Sequence, residues 1–253
     1  MLDLLFLAAA AVLPTGPAPF AIGEDRFAAC VAMVDADPAR AVEEASAWQI
    51  AGGGVLARHC LGLAFARQER WLPAVAAFEA AATEAERNRD GRSARLWVQA
   101  ANAALAGADA GKARTFLDTA IVNGQLSGAE LGEAHLDRAR ALVALRQPAQ
   151  ARTDLDQAIK LVPEDPLAWL LSATLARRTG NLDVAEQHID EAAKRAPDDA
   201  QIALEAGNIA LMQGYEAAAR AAWQGAVKLS PESPAGKAAA VALAQLDGAP
   251  KAP

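Results

Sequence analysis

Pro163, Pro197 and Pro231 stand 34 residues apart, and three sets of small residues keep the same interval. These are Ala151, Ala185 and Ala219; Ala158, Ala192 and Ala226; and Ala139, Ala173 and Gly207. One unit of that length cannot bury its apolar face alone, so the period predicts neighbours stacked into a solenoid rather than a single globular core.

Each unit reads as two helices. From Pro166 to Arg178 the residues Leu167, Trp169, Leu170, Ala173 and Ala176 recur at helical spacing, and Gly180-Asn181 then breaks the run. Leu182 to Arg195 follows as the partner helix, with Ala185, Ile189 and Ala192 on one stripe and Ala196-Pro197 ending it. Proline serves as punctuation because it lacks an amide hydrogen and disfavours helical geometry in the residue before it. Small residues at Ala173, Ala185 and Ala192 let the two helices approach, while Trp169 and Ile189 fill space between units.

The pattern resembles the tetratricopeptide repeat family, with a large residue at slot 4, small residues at slots 8, 20 and 27, an apolar residue at slot 24 and proline at slot 32. Counted from the first residue of each unit, 132–165 supplies Ala139, Ala151, Leu155, Ala158 and Pro163. The next unit, 166–199, supplies Trp169, Ala173, Ala185, Ile189, Ala192 and Pro197, and 200–233 supplies Gly207, Ala219, Trp223, Ala226 and Pro231. Two earlier units lack the closing proline. Leu61, Gly62, Phe65, Ala74, Phe78 and Ala81 fit one beginning at Val55; Trp97, Ala101, Ala113, Leu117 and Ala120 fit one beginning at Ala94. Polar linkers around 84–93 and 123–128 lengthen them, and those joints are expected to turn differently from the regular ones. The resemblance implies an all-α, right-handed α-α superhelix of about five units spanning 55–233. Residues 21–54 would form a helical cap or partial repeat before it, 234–248 a terminal capping helix that shields the last unit, and 249–253 a loose tail.

Composition agrees with helices held by many thin interfaces. Of 253 residues 68 are Ala, which favours helix while adding little core volume. The net charge of −7 and a pI near 5.1 argue against nucleic acid as a partner, since phosphate binding needs a dense basic surface. Residues 4–13 form an apolar run followed by Pro14, Gly16, Pro17 and Pro19, which suits a secretion signal over 1–20. It is shorter than the roughly 20 residues of a spanning helix. Against that reading, no Lys or Arg precedes Arg26 and Asp3 stands where a cation belongs; a mis-set start or an apolar tail packed on the first helix is the other reading. A periplasmic or secreted location is therefore expected, with the cytoplasm as the alternative. Cys30 and Cys60 would be free to pair in an oxidising compartment, or else stand as two buried thiols.

Catalytic and cofactor motifs do not assemble. Phe27-Ala28-Ala29-Cys30 resembles a lipoprotein acylation site, but Glu24, Asp25 and Arg26 interrupt the run that should lead into it. Gly107 to Lys112 is one residue short of a phosphate-binding loop and continues with Ala113 where Ser or Thr would hold magnesium, so it reads as a turn. His59, His135 and His188 lie in separate units, without metal-ligand spacing, and the acidic pairs read as solvated helix starts. No metal, cofactor or catalytic residue is expected, and a non-catalytic scaffold for a protein or peptide is. A self-associating structural element, or an enzyme whose site forms between repeats, is the alternative.

In the family, first helices line a concave groove through slots 2, 5, 9, 12 and 13, which also follow one helical face. Carried over, they name His59, Leu63 and Arg67; Val98, Asn102 and Leu105; Leu136, Arg140 and Val143; Leu170, Thr174, Arg177 and Arg178; and Leu204, Asn208, Leu211 and Met212. The clamp that chaperone-binding members use for a terminal carboxylate is missing, because Val98 stands where Lys is needed and Asp137 where Asn is needed. Arg140, Arg177 and Arg178 could hold an acidic segment through guanidinium forks. For the last two, stabilising a helix C-terminus is the competing role.

Overall fold

The computed structural model describes residues 19–248, and all side chains from residue 23. The segment 1–18, with the apolar run, and the tail beyond Gly248 lie outside the described residues. Thirteen helices and no strand are present among those described. The residues before the first unit make α1 (Pro19–Ala36) and α2 (Pro38–Ile50). Five hairpins follow: α3 (Gly54–Arg67) with α4 (Trp71–Arg87), α5 (Ser93–Ala106) with α6 (Ala110–Val122), α7 (Gly128–Ala144) with α8 (Pro148–Leu161), α9 (Pro166–Arg178) with α10 (Leu182–Arg195), and α11 (Ala200–Met212) with α12 (Glu216–Leu229). A single helix, α13 (Pro234–Gly248), closes the array against α12. This is an all-α superhelix of helix pairs.

The turn inside each hairpin shows that all five share one register. Slot 15 takes a left-handed conformation every time, at Glu69 (φ 56°), Ala108 (60°), Arg146 (59°), Gly180 (80°) and Gly214 (86°). Only the last two units put glycine there, where a left-handed residue costs nothing sterically; the others accept a cost of about 1–2 kcal/mol each. Gly107 to Lys112 falls on such a turn, with Asp109 capping α6 through the Lys112 amide at 3.0 Å. Asn181 caps α10 in the same way, and Asp165 and Asp199 cap α9 and α11.

Small residues do what the period demands. The slot-20 and slot-27 alanines of every hairpin, from Ala74 and Ala81 to Ala219 and Ala226, are fully buried. Slots 8 and 24 compensate each other across the hairpin. Where slot 24 is Leu155 or Ile189, slot 8 is alanine; where it is Phe78 or Trp223, slot 8 is Gly62 or Gly207. A Cβ on Gly62 would stand 2.6 Å from the Phe78 ring, and one on Gly207 would collide with the Trp223 indole. Aromatic bulk therefore requires the missing methyl. The core is accordingly a chain of small clusters passed from hairpin to hairpin, not one centre.

The two irregular linkers are tied down. Gln125 accepts from the Ser93 hydroxyl at 3.0 Å and from the Ala94 amide at 3.2 Å, and Leu126 is buried. Arg92 makes a forked contact with Asp90, which holds that carboxyl below its ordinary range chiefly through the side-chain hydrogen bond. At the amino-terminal end, Cys30 of α1 and Cys60 of α3 are joined as a disulfide with their Cα atoms 6.3 Å apart.

Candidate binding groove

The first helices α3, α5, α7, α9 and α11 line one face of the array, and the spaces between successive ones are its grooves. Between α7 and α9 lies a cleft of about 190 Å³. Val143 (slot 12) and Leu155 (slot 24) come from one unit, and Leu171, Thr174 and Leu175 (slots 6, 9 and 10) from the next. Arg140 and Arg178 stand at its edges. Between α3 and α5 lies a second cleft, of about 230 Å³. Its lining repeats those slots one for one: Ala66 and Phe78, then Gln99, Asn102 and Ala103, with Trp71 added.

The other two joints are occupied by charged groups. At the α9–α11 joint, slot 12 is Arg177 and slot 6 is Glu205, which form a forked ion pair at 2.6 and 3.2 Å. Asn208 donates to the same carboxylate at 3.2 Å and accepts from the Trp223 indole at 3.2 Å. At the α5–α7 joint, slot 6 is Asp137, which takes a side-chain hydrogen bond from Asn102 of α5 and pairs with Arg140 on its own helix at 2.9 Å. Burial raises the Asp137 carboxyl above its ordinary range, outweighing the lowering effects of Arg140 and of Asn102. Open and sealed joints thus alternate along the array.

Several residues expected in the groove lie elsewhere. Leu136 and Leu170, both at slot 5, are 4% and 7% exposed and belong to the core. A first helix packs on its own partner and on the second helix of the preceding unit, which turns slot 5 inward. Arg177 is engaged by Glu205 and is not free for a partner's carboxylate. Leu204 packs against the cluster around Trp223, and Asn208 is held in the network just described. Leu63 and Val98 are half-buried against the amino-terminal core. Arg67, Asn102, Arg140, Arg178 and Leu211 are exposed, and Thr174 is partly so. Leu171, Leu175, Trp71 and Gln99, which line the clefts, were not among the groove slots; aligning slots 6 and 10 between units would have found all but Trp71, which starts the second helix α4.

A different set of polar contacts lies on the side of the second helices. Asp154 of α8, 2% exposed, accepts from His135 Nδ1 at 2.8 Å and from the Arg138 guanidinium at 2.7 and 2.8 Å. Arg138 also reaches Asp118 of α6 at 3.0 Å. Burial pushes the Asp154 carboxyl up, but the hydrogen bonds from Arg138 and His135 outweigh it and hold the group below its ordinary range. One unit on, His188 meets the Ser172 hydroxyl at 2.8 Å; that hydroxyl is fully buried and closed to substrate. Among the described residues no three His, Cys, Asp or Glu side chains gather into a metal site.

His59 sits between the Phe27 and Phe78 rings, with both ring nitrogens buried and unpartnered. Desolvation pushes it down to about 4; the nearby Gln99 amide works against that shift and the Arg92 charge adds to it. A base neutral in the fold but charged when unfolded stabilises fully above its unfolded value of about 6.5 and loses that contribution as pH falls toward 4. The loss amounts to about 3 kcal/mol over that window. His59→Leu should flatten the decline in urea midpoint between pH 7 and pH 4.5; an equally steep decline in the variant would assign the acid sensitivity to other groups.

A family profile described as tetratricopeptide repeat matches residues 136–195 and again 170–234. It meets the same hairpins that carry the regular 34-residue spacing, and solved structures extend the likeness over most of the chain. Residues 136–234 are tetratricopeptide repeats. PilW, a widely conserved type IV pilus biogenesis factor, superposes with a TM-score of 0.71 at 16% identity, covering 85% of this chain and 96% of its own. Pseudomonas aeruginosa pilF gives 0.69 at 16%, covering 88% and 99%. YrrB, described as a TPR protein with an unusual peptide-binding site, gives 0.59 at 18%, covering 78% and 95%. At these identities the likeness is one of fold. No curated protein matches the sequence. Tetratricopeptide repeats are in general non-catalytic scaffolds for proteins and peptides, and no helix among the described residues is long and apolar enough to cross a membrane.

Proposed function

We propose that this protein is a non-catalytic scaffold that holds a segment of another protein in the groove of its first helices, in the bacterial cell envelope. The observation that carries the reading is the cleft between α7 and α9, an apolar recess open to the surface with two arginines at its rim in a chain of net charge −7. Volumes of about 190 and 230 Å³ fall below the ~300–1,000 Å³ of small-molecule sites and suit single side chains of a larger partner. The envelope assignment is supported by the apolar run of 4–13, by the pairing of Cys30 with Cys60, and by a fold neighbour described as a type IV pilus biogenesis factor.

The test pairs fractionation with capture. The full-length chain should leave cells with the periplasmic fraction on osmotic shock, and bait carrying Asn102→Trp and Thr174→Trp should lose a partner that wild-type bait retains. Both baits holding the same proteins would contradict groove binding, and recovery of the chain in the cytoplasmic fraction would contradict the location.

A further inference from the structure

The alternation of open and sealed joints constrains what the groove can hold. Slot for slot, the α3–α5 and α7–α9 clefts are lined alike, while the Asp137 carboxyl, held by Asn102, and the Arg177–Glu205 pair occupy the joints that follow each of them. Helices packed at about 10 Å per step put the two open clefts about 20 Å apart. That distance is the reach of about six residues of extended chain at ~3.3 Å each. The two clefts also differ in chemistry. The first is uncharged, with Trp71 and Phe78 facing the amides of Gln99 and Asn102. The second is aliphatic, and its only charged lining residues are arginines. Arg140 already shares Asp137, but Arg178 is exposed and pairs with no carboxylate among the described residues.

We propose that the groove binds one extended peptide through two apolar side chains about six residues apart. One enters each open joint, and an acidic residue sits beside the one between α7 and α9. The largely buried Asp137 carboxyl, which meets Asn102 across the α5–α7 joint, lies between the two anchors and disfavours an apolar side chain there, so a ligand with anchors about three residues apart cannot use neighbouring joints. This rests on the groove reading above and adds to it the spacing, the number of anchors and the charge of the ligand.

The probe is a set of fluorescein-labelled dodecapeptides of Gly, Ser and Thr carrying two Leu residues separated by two to nine positions, with Glu, Ser or Lys next to one Leu. Fluorescence anisotropy should show tightest binding at a separation of about six with Glu present. Affinity should fall tenfold or more with either Asn102→Trp or Thr174→Trp, and Arg178→Glu should reverse the preference from Glu to Lys. Thr174→Glu and Asn102→Lys serve as second variants should a tryptophan disturb folding, which melting curves report. Binding that depends on the groove substitutions but not on spacing or charge would overturn the two-anchor proposal and leave the groove reading standing. No groove-dependent binding by any peptide would overturn both.

Discussion

Asp154→Ala should lower the unfolding free energy by about 3–5 kcal/mol, the largest loss expected of any single polar substitution here. The carboxylate is 2% exposed and is the common acceptor for Arg138 and His135, so its removal leaves a guanidinium desolvated without its principal partner. The loss should be local, because an array of repeats is stabilised by nearest-neighbour interfaces. Amide exchange should rise in α6, α7 and α8, which Asp118, Arg138 and Asp154 tie together, and stay unchanged in α3 and α4. The double variant Arg138→Met, Asp154→Leu should recover most of the loss, since an apolar pair of similar volume needs no compensation. A depressed carboxyl stabilises above its unfolded value of about 3.9 and loses that contribution as pH falls through its lower folded value, so the single variant should converge on wild type in strong acid. A penalty under about 1 kcal/mol at pH 7 would mean that water already screens the cluster.

Reducing the Cys30–Cys60 bond should cost about 3.5 kcal/mol in the chain-entropy treatment, given the separation of 30 residues. The bond fastens α1 to α3, and Phe27 on α1 covers the His59 ring at 4.7 Å. Loosening α1 therefore exposes the unpartnered imidazole to water, and the acid sensitivity assigned to His59 should weaken in reduced protein. Thiol titration of the unfolded chain should find none before reductant and two after; two before reductant would remove the bond and with it this coupling.

Much of the architecture was legible because a repeat states its constraints several times. The bounds of α9 and α10 follow from Pro166, Gly180 and Pro197, and the hairpins starting at Val55 and Ala94 could be placed from their small residues despite lacking a closing proline. The left-handed turn residue was legible only in part: Gly180 and Gly214 announce it, whereas Glu69, Ala108 and Arg146 give no hint. The groove was less legible. Spacing along one helix puts slot 5 on the same face as slots 9 and 12, but burial depends on two neighbouring helices, and Leu136 and Leu170 turn inward. The ion pair of Arg177 with Glu205 spans 28 positions and joins two units, so helix-end stabilisation was the nearer reading for Arg177.

The Asp154 cluster did leave a trace. Slots 4 and 23 pair within two of the hairpins, as Trp97 stacked on Phe116 and Trp169 against His188. In the unit 132–165 these slots become His135 and Asp154, and slot 7 becomes Arg138, so three neighbouring positions turn polar together. A lone acid on a helix reads as solvated, whereas a coordinated exchange across three packed slots reads as a buried network.

Amide chemical-shift mapping with the Glu-bearing peptide whose Leu residues stand six apart tests the groove most directly. The structure predicts two separated patches of shifted resonances, one at Asn102 and Ala103 and one at Val143, Thr174 and Leu175, with the amides between Gln150 and Asp154 unmoved. A single patch around Arg114, Gln150 and Thr153 on the side of the second helices, with both clefts silent, would contradict it.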